Sequence, residues 1–241
     1  MKLRIQFAVA ISLVGSVVFL IGCAKPSLTE PQSEPAEATF AAQVAAVRAG
    51  DSERMQIEHS PLSDQDLAEL NGLAQLAELL IDDPNSRISA GGLKHLASLP
   101  ALAHLRIRSG SIDDACLIEI AEIKTLRILN LPRGTFTDAR LASLKSLPLL
   151  EQLRFGSSHV TDAGMTTITE LPALKRLHLI DVPITDAGLA ELSKIEQLES
   201  LYLDGAKVTD DGLDHLFQTR PKLHVHIDQH HHDRDPQKHS H

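Results

Sequence analysis

Histidine is concentrated at the end of this chain. Of 13 histidines in 241 residues, seven fall between His224 and His241, among them His230-His231-His232, His239 and His241. Imidazole nitrogens bind Zn, Ni and Cu, and Asp228 and Asp233 are close enough in sequence to assist. His230, His231, His232, His239 and His241 are therefore the metal-ligand candidates. A flexible tail has neither fixed geometry nor supporting hydrogen bonds around its ligands. The expectation is adventitious uptake of Zn, Ni or Cu, with no cofactor required. The same histidines make the tail more cationic as the pH falls towards 6.

Three other groups invite a catalytic reading. Aspartates recur at Asp64, Asp114, Asp138, Asp162, Asp186 and Asp210. Acid–base or metal chemistry needs one site, whereas a carboxylate in every unit fits the start of a helix, where it meets the positive end of the backbone dipole. His178, Ser200 and Asp204 have the residue types of a hydrolase triad, but no glycine-flanked nucleophile turn accompanies them. Cys116 stands where Gly92, Gly164, Gly188 and Gly212 stand in other units, and reads as a small packing residue. None of these is a catalytic site, and the chain reads as non-enzymatic.

The recurrences share one period. Leucines 102, 126, 150, 174 and 198 are each 24 residues apart. Counting each as position 1, apolar residues return at positions 4, 6, 11, 16, 19 and 22. The unit from Leu150 has Leu153, Phe155, Val160, Met165, Ile168 and Leu171 there. A unit from Leu76 is two residues longer around Asp83-Pro84-Asn85-Ser86, and a degenerate one starts near Ser52. A partial strand, Leu223 to Ile227, closes the series. Alternation puts positions 4 and 6 on the buried face of a strand and 3, 5 and 7 on the other. Positions 16, 19 and 22 form one helix stripe. Position 12 is Ser63, Ser89, Asp113, Thr137, Thr161, Thr185 or Thr209, each able to accept from the free N–H groups that open a helix. Pro100, Pro148 and Pro172 stop the helices. A single unit cannot bury its own leucines, but stacked units share a continuous core.

These units resemble leucine-rich repeats of the helix-bearing kind, related to ribonuclease-inhibitor-like and F-box-associated repeat proteins. Ile184 to Leu189 reads ITDAGL, which is similar to repeats of many bacterial secreted proteins. The resemblance covers residues 52–227. It implies an α/β fold: a right-handed solenoid, a short horseshoe with parallel strands on the concave face and helices on the convex face. It also implies protein binding as the commonest use, although fold alone does not fix function.

Concave faces of solenoids are their usual binding surfaces. Position 5 runs Leu80, Arg106, Asn130, Arg154, His178, Tyr202, and position 3 runs Glu78, His104, Ile128, Gln152, Arg176, Ser200. Position 7 runs Asp82, Arg108, Pro132, Gly156, Ile180, Asp204. The four central units thus carry arginine and histidine and no carboxylate in these columns. Lys and Arg number 23 against 32 Asp and Glu, a net charge of −9. A basic centre on an acidic chain suits carboxylate or phosphate groups. The candidate contact residues are His104, Arg106, Arg108, Asn130, Arg154, Arg176, His178 and Tyr202, for an unidentified protein or anionic envelope polymer. A solvated face neutralised by acids elsewhere is the alternative. The overall negative charge argues against nucleic acid. Aromatics make up 3% of the chain, with no Trp and one Tyr, which excludes a stacking platform for single strands.

The start of the chain is an address. Met1-Lys2-Leu3-Arg4 is basic, Ile5 to Gly22 is an almost unbroken apolar run, and Leu20-Ile21-Gly22-Cys23 ends it. This is the grammar of an export signal over residues 1–22. The ending resembles the lipobox of bacterial lipoproteins, which implies cleavage, acylation of Cys23 and a membrane anchor. The alternative is an uncleaved membrane helix, for which the run is near the lower length limit. Positive charge stays inside, so both readings send the rest out to the cell envelope, at the outer membrane and periplasm or the cell surface. Loss of Lys2 and Arg4 takes the charge from −9 to −11. Residues 23–37, with their Pro, Ser and Glu, read as a disordered tether carrying the lipidated Cys23. Residues 38–51 read as a capping helix with Phe40, Val44 and Val47 on one face. Residues 228–241 read as a disordered His-rich tail. A lipid-anchored, non-enzymatic binding module is the first functional reading, and a metal-handling envelope lipoprotein using the tail is the second. A cytosolic ubiquitin-ligase adaptor conflicts with the export signal.

Overall fold

In the computed structural model, residues 38–109, 112–228 and 230–231 are described. The Leu-x-x-Leu-x-Leu segments are extended, as alternation requires. They form β1 (Arg54–Ile57), β2 (Glu78–Ile81), β3 (His104–Ile107), β4 (Ile128–Leu131), β5 (Gln152–Phe155), β6 (Arg176–Ile180), β7 (Ser200–Asp204) and β8 (His224–Ile227). These strands lie in chain order in one sheet, each parallel to the next. Constant repeat length sets the register, so like faces like: Leu105, Leu129, Leu153, Leu177, Leu201 and Val225 form one row.

Helices return the chain on the other side of this core. They are α1 (Phe40–Ala49), α2 (Asp64–Ala68), α3 (Ala90–Leu93), α4 (Asp114–Ile120), α5 (Asp138–Leu141), α6 (Asp162–Ile168), α7 (Asp186–Leu192) and α8 (Asp210–Thr219). Leu117, Leu141, Met165 and Leu189 at position 16 are buried, as are Ile120, Leu144, Ile168 and Leu192 at position 19. The chain folds as a leucine-rich-repeat solenoid. Among the described residues no helix is long and apolar enough to cross a membrane.

Two details differ from the sequence pattern. Position 22 is buried but lies beyond the helix: the N–H groups of Leu99, Ile123, Leu147, Leu171 and Ile195 bond to carbonyls three residues back. That tightened turn ends the helix a turn early. After the short α3 and α5 the chain runs through 3₁₀ turns, Lys94–Ser98 and Ala142–Ser146.

The recurring aspartates at position 13 do more than face the helix dipole. All of them but Asp210, in the last helix, reach sideways to the cap residue of the following unit. Asp162 accepts from the Thr185 backbone N–H and hydroxyl, both at 2.7 Å. Asp138 does the same with Thr161, Asp186 with Thr209, Asp114 with Thr137, and Asp64 with Ser89. The cap hydroxyl is therefore a donor to its neighbour. Ser89, Thr161, Thr185 and Thr209 also accept from their own helix, while Thr137 makes no such cap bond. At Asp186, the Thr209 hydroxyl and then its N–H hold the carboxyl below the ordinary carboxylate value. A lowered folded-state value means that this contribution to stability is complete above the ordinary range. It is lost as the pH falls through the lowered value.

The carboxylate also dictates position 15. A Cβ on Gly92 would stand 2.5 Å from Asp64 Oδ1, and one on Gly164, Gly188 or Gly212 would come closer to Asp138, Asp162 or Asp186. Position 15 is not glycine at Cys116, nor at Arg140, where the Asp114 carboxylate is still present. Arg140 reaches back to Asp114, Nε to Oδ2 at 3.8 Å. Cys116 follows a unit whose position 13 is Ala90, so no carboxylate occupies its space. At that junction Asp113 replaces the hydroxyl residue and accepts from the Cys116 N–H, at 2.9 Å.

Both sheet edges are closed. At the first, Gln43 of α1 pairs its side-chain amide with the backbone of Gln56, donating to its carbonyl and accepting from its N–H, each at 2.7 Å. Val44 and Val47 are buried beneath it. At the other edge, residues placed in the tail on sequence grounds extend the sheet: β9 (His230–His231) runs antiparallel to β8.

The rung and the glycine are one device, which a double-mutant cycle resolves. Ala is a better helix former than Gly by about 1 kcal/mol, yet Gly188→Ala should destabilise by about 1–2 kcal/mol in urea unfolding because it displaces Asp162. In an Asp162→Ala background the same change should cost nothing or stabilise. Equal costs in both backgrounds would refute the coupling.

Candidate functional site

Positions 3, 5 and 7 of the strands face away from the core, and the parallel register sets their side chains in rows. One row runs Leu80, Arg106, Asn130, Arg154, His178, Tyr202, His226. The other runs Glu78, His104, Ile128, Gln152, Arg176, Ser200, His224. Neighbours in a row are close enough to interact directly.

The acids of the flanking units reach inward, which corrects the picture of a carboxylate-free basic centre. Asp82 is ion-paired with Arg106 and lies 3.6 Å from Arg108 Nε. Glu78 meets His104 Nδ1 at 2.9 Å. Burial pushes the His104 pKa below its ordinary value, and Arg106 and Arg54 add to that against the opposing pull of Glu78. The contact is therefore a hydrogen bond from a neutral ring near pH 7. Because the folded state binds this proton less readily, stability is lost as the pH falls below about 6.5 through the lowered folded-state value.

The centre of the face holds a linear network. Arg154 Nη1 donates to Asn130 Oδ1 at 3.3 Å, and Arg154 Nε donates to His178 Nδ1 at 3.1 Å. His178 Nε2 lies 2.8 Å from Asp204 Oδ2. An accepting Nδ1 requires the hydrogen on Nε2, which it donates to Asp204. Both hydrogen-bond partners of Arg154 are thus neutral. Burial, and then Arg108, push its pKa down, with Asp204 opposing; a guanidinium nonetheless stays charged. Arg176 is exposed and makes no ion pair among the described residues.

The end of the face is aromatic. Tyr202 stacks on His226 with ring centres 4.3 Å apart and planes 13° apart, and lies 5.4 Å from His178. His224 meets Tyr202 edge-on at 6.2 Å. Tyr202 is among the candidate contact residues expected from the sequence, whereas His224 and His226 are not. Their same-face spacing on β8 was the signal available.

The eight candidate contact residues therefore lie in adjacent rows on one face. The imagined triad does not assemble: Ser200 pairs across to Arg176 and His224, and both His178 nitrogens are engaged by Arg154 and Asp204. Cys116 is buried, and burial pushes its thiol up to about 11, which leaves little thiolate at neutral pH. Of the tail histidines, His230 is exposed with Nδ1 2.7 Å from the Asp228 carbonyl, and His231 pairs through its backbone with His226. Cys23, His232, His239 and His241 lie outside the described residues, as does the tether. Among the described residues no group of three or more His, Cys, Asp or Glu is placed to hold a metal.

This fold is similar to that of internalin C2 from Listeria monocytogenes, at 17% identity over 76% of this chain and 83% of that one, with a TM-score of 0.53. At that identity the likeness concerns architecture alone. No protein-family model and no curated protein matches the sequence.

The network sets the His178 tautomer. Long-range ¹⁵N NMR correlations should show hydrogen on Nε2 and a bare Nδ1 at neutral pH. An Nδ1–H signal would rule out the Arg154 bond.

Proposed function

We propose that this protein is a lipid-anchored, non-enzymatic recognition module of the cell envelope, whose strand face binds an acidic segment of a partner protein. The observation that carries this reading is Arg154. It sits mid-face, partly desolvated, with only neutral hydrogen-bond acceptors, and the unpaired Arg176 lies on the adjacent strand. A guanidinium in that position gains most from an incoming carboxylate, which forms charge-assisted and often bidentate bonds. The repeat architecture supports a protein partner, since stacked units present an extended surface suited to recognition. Arg106 and Arg108 take a smaller part because Asp82 already compensates them.

The anchor rests on the basic start, the apolar run and Leu20-Ile21-Gly22-Cys23. Several acyl chains hold a protein at a membrane stably where one alone does not. Residues 24–37 supply reach between lipid and repeats.

A Glu-rich peptide tests the face. Binding should weaken at least tenfold in Arg154→Glu/Arg176→Glu and fall with added salt; unchanged affinity in that variant refutes the assignment. Labelled palmitate should be incorporated in bacterial cells and lost in Cys23→Ser. Equal labelling of both chains removes the anchor from the proposal.

A further inference from the structure

His224 and His226 are two residues apart on β8, so both side chains stand on the outer face of the sheet. Their Nε2 atoms converge to 2.7 Å, with the two rings nearly perpendicular at 76° and their centres 4.6 Å apart. The rings are held from several sides. Tyr202 lies flat against His226 and edge-on to His224, and the backbone of β8 is clamped between β7 and β9. Both residues are half-buried.

Two imidazole nitrogens at this distance share one hydrogen: one Nε2–H donates to the other ring's lone pair. A metal ion can replace that hydrogen once the donating ring turns so that both lone pairs converge on a point beside the line joining the nitrogens. A divalent ion in square-planar geometry, with metal–nitrogen bonds of about 2.0 Å, holds cis nitrogens roughly 2.8 Å apart. A tetrahedral zinc ion separates them by about 3.3 Å. The observed spacing matches the square-planar value.

We infer that His224 and His226 form the protein side of a transition-metal site, cis bis-imidazole in geometry, that takes Cu(II) ahead of Ni(II) and Zn(II). Binding requires the donating ring to move its hydrogen from Nε2 to Nδ1, so both Nε2 lone pairs face the ion and no proton is lost overall. Since no third protein donor stands with the pair among the described residues, water fills the remaining equatorial positions. This site is distinct from the tail histidines: its donors lie on a strand fixed within the sheet, which supplies the geometry a tail lacks.

The test uses the full chain in detergent with His230, His231, His232, His239 and His241 all changed to Asn, titrated with Cu(II) against glycine as competitor. The expected result is one tightly held equivalent whose electron paramagnetic resonance spectrum shows coupling to two nitrogen donors. Adding His224→Gln or, separately, His226→Gln should weaken uptake roughly tenfold or more and reduce the coupling to one nitrogen, with the circular dichroism spectrum unchanged. Loss of all specific uptake on changing the tail alone overturns the proposal, as does uptake unaltered by either β8 substitution.

Discussion

The structure depends on a carboxylate that serves the next repeat rather than its own. At position 13 an aspartate accepts two hydrogen bonds from the residue that opens the following helix, and it occupies the space above the glycine three residues further on in that unit. Burial of leucine drives the units together, but a hydrophobic contact has no direction and tolerates sliding. The carboxylate is directional. It fixes how each helix lies against its predecessor, while the strand register follows from repeat length and is kept between β2 and β3, where the carboxylate is absent.

Most of this architecture was legible because it repeats. A leucine every 24 residues, with helix and strand periodicities in alternation, defined the unit, its buried positions and the face left outside. The lateral bonds were not legible. A Thr-Asp pair at the start of a helix has a sufficient explanation within one unit, and only coordinates show the aspartate turning to the next. The trace it left was a correlation between units, aspartate ahead of each glycine at that position and Ala90 ahead of Cys116, with Asp114 ahead of Arg140 as the exception. The short turn at position 22 was hidden for another reason, since a residue just past a helix can be as buried as one within it.

The outward face was legible in content and not in charge. The repeat columns show which side chains share the face, but column order says nothing about how far a carboxylate on a flanking strand extends. Asp82 and Asp204 each cross one strand spacing, quieting Arg106 and engaging His178. The electrostatic centre therefore narrows from a broad band to Arg154 and Arg176. Tyr202 and the histidines of β8 give the far end of the face a different chemistry, aromatic and nitrogen-rich.

The junction between Ala90 and Asp113 is the one described junction of successive helical units where the carboxylate rung is absent. In a linear array each unit is stabilised by its contacts with its neighbours, so cooperativity is only as strong as the weakest coupling. At this joint the full β2–β3 ladder and the packed helices carry the coupling, so alignment there rests on backbone bonds and buried surface rather than on a carboxylate.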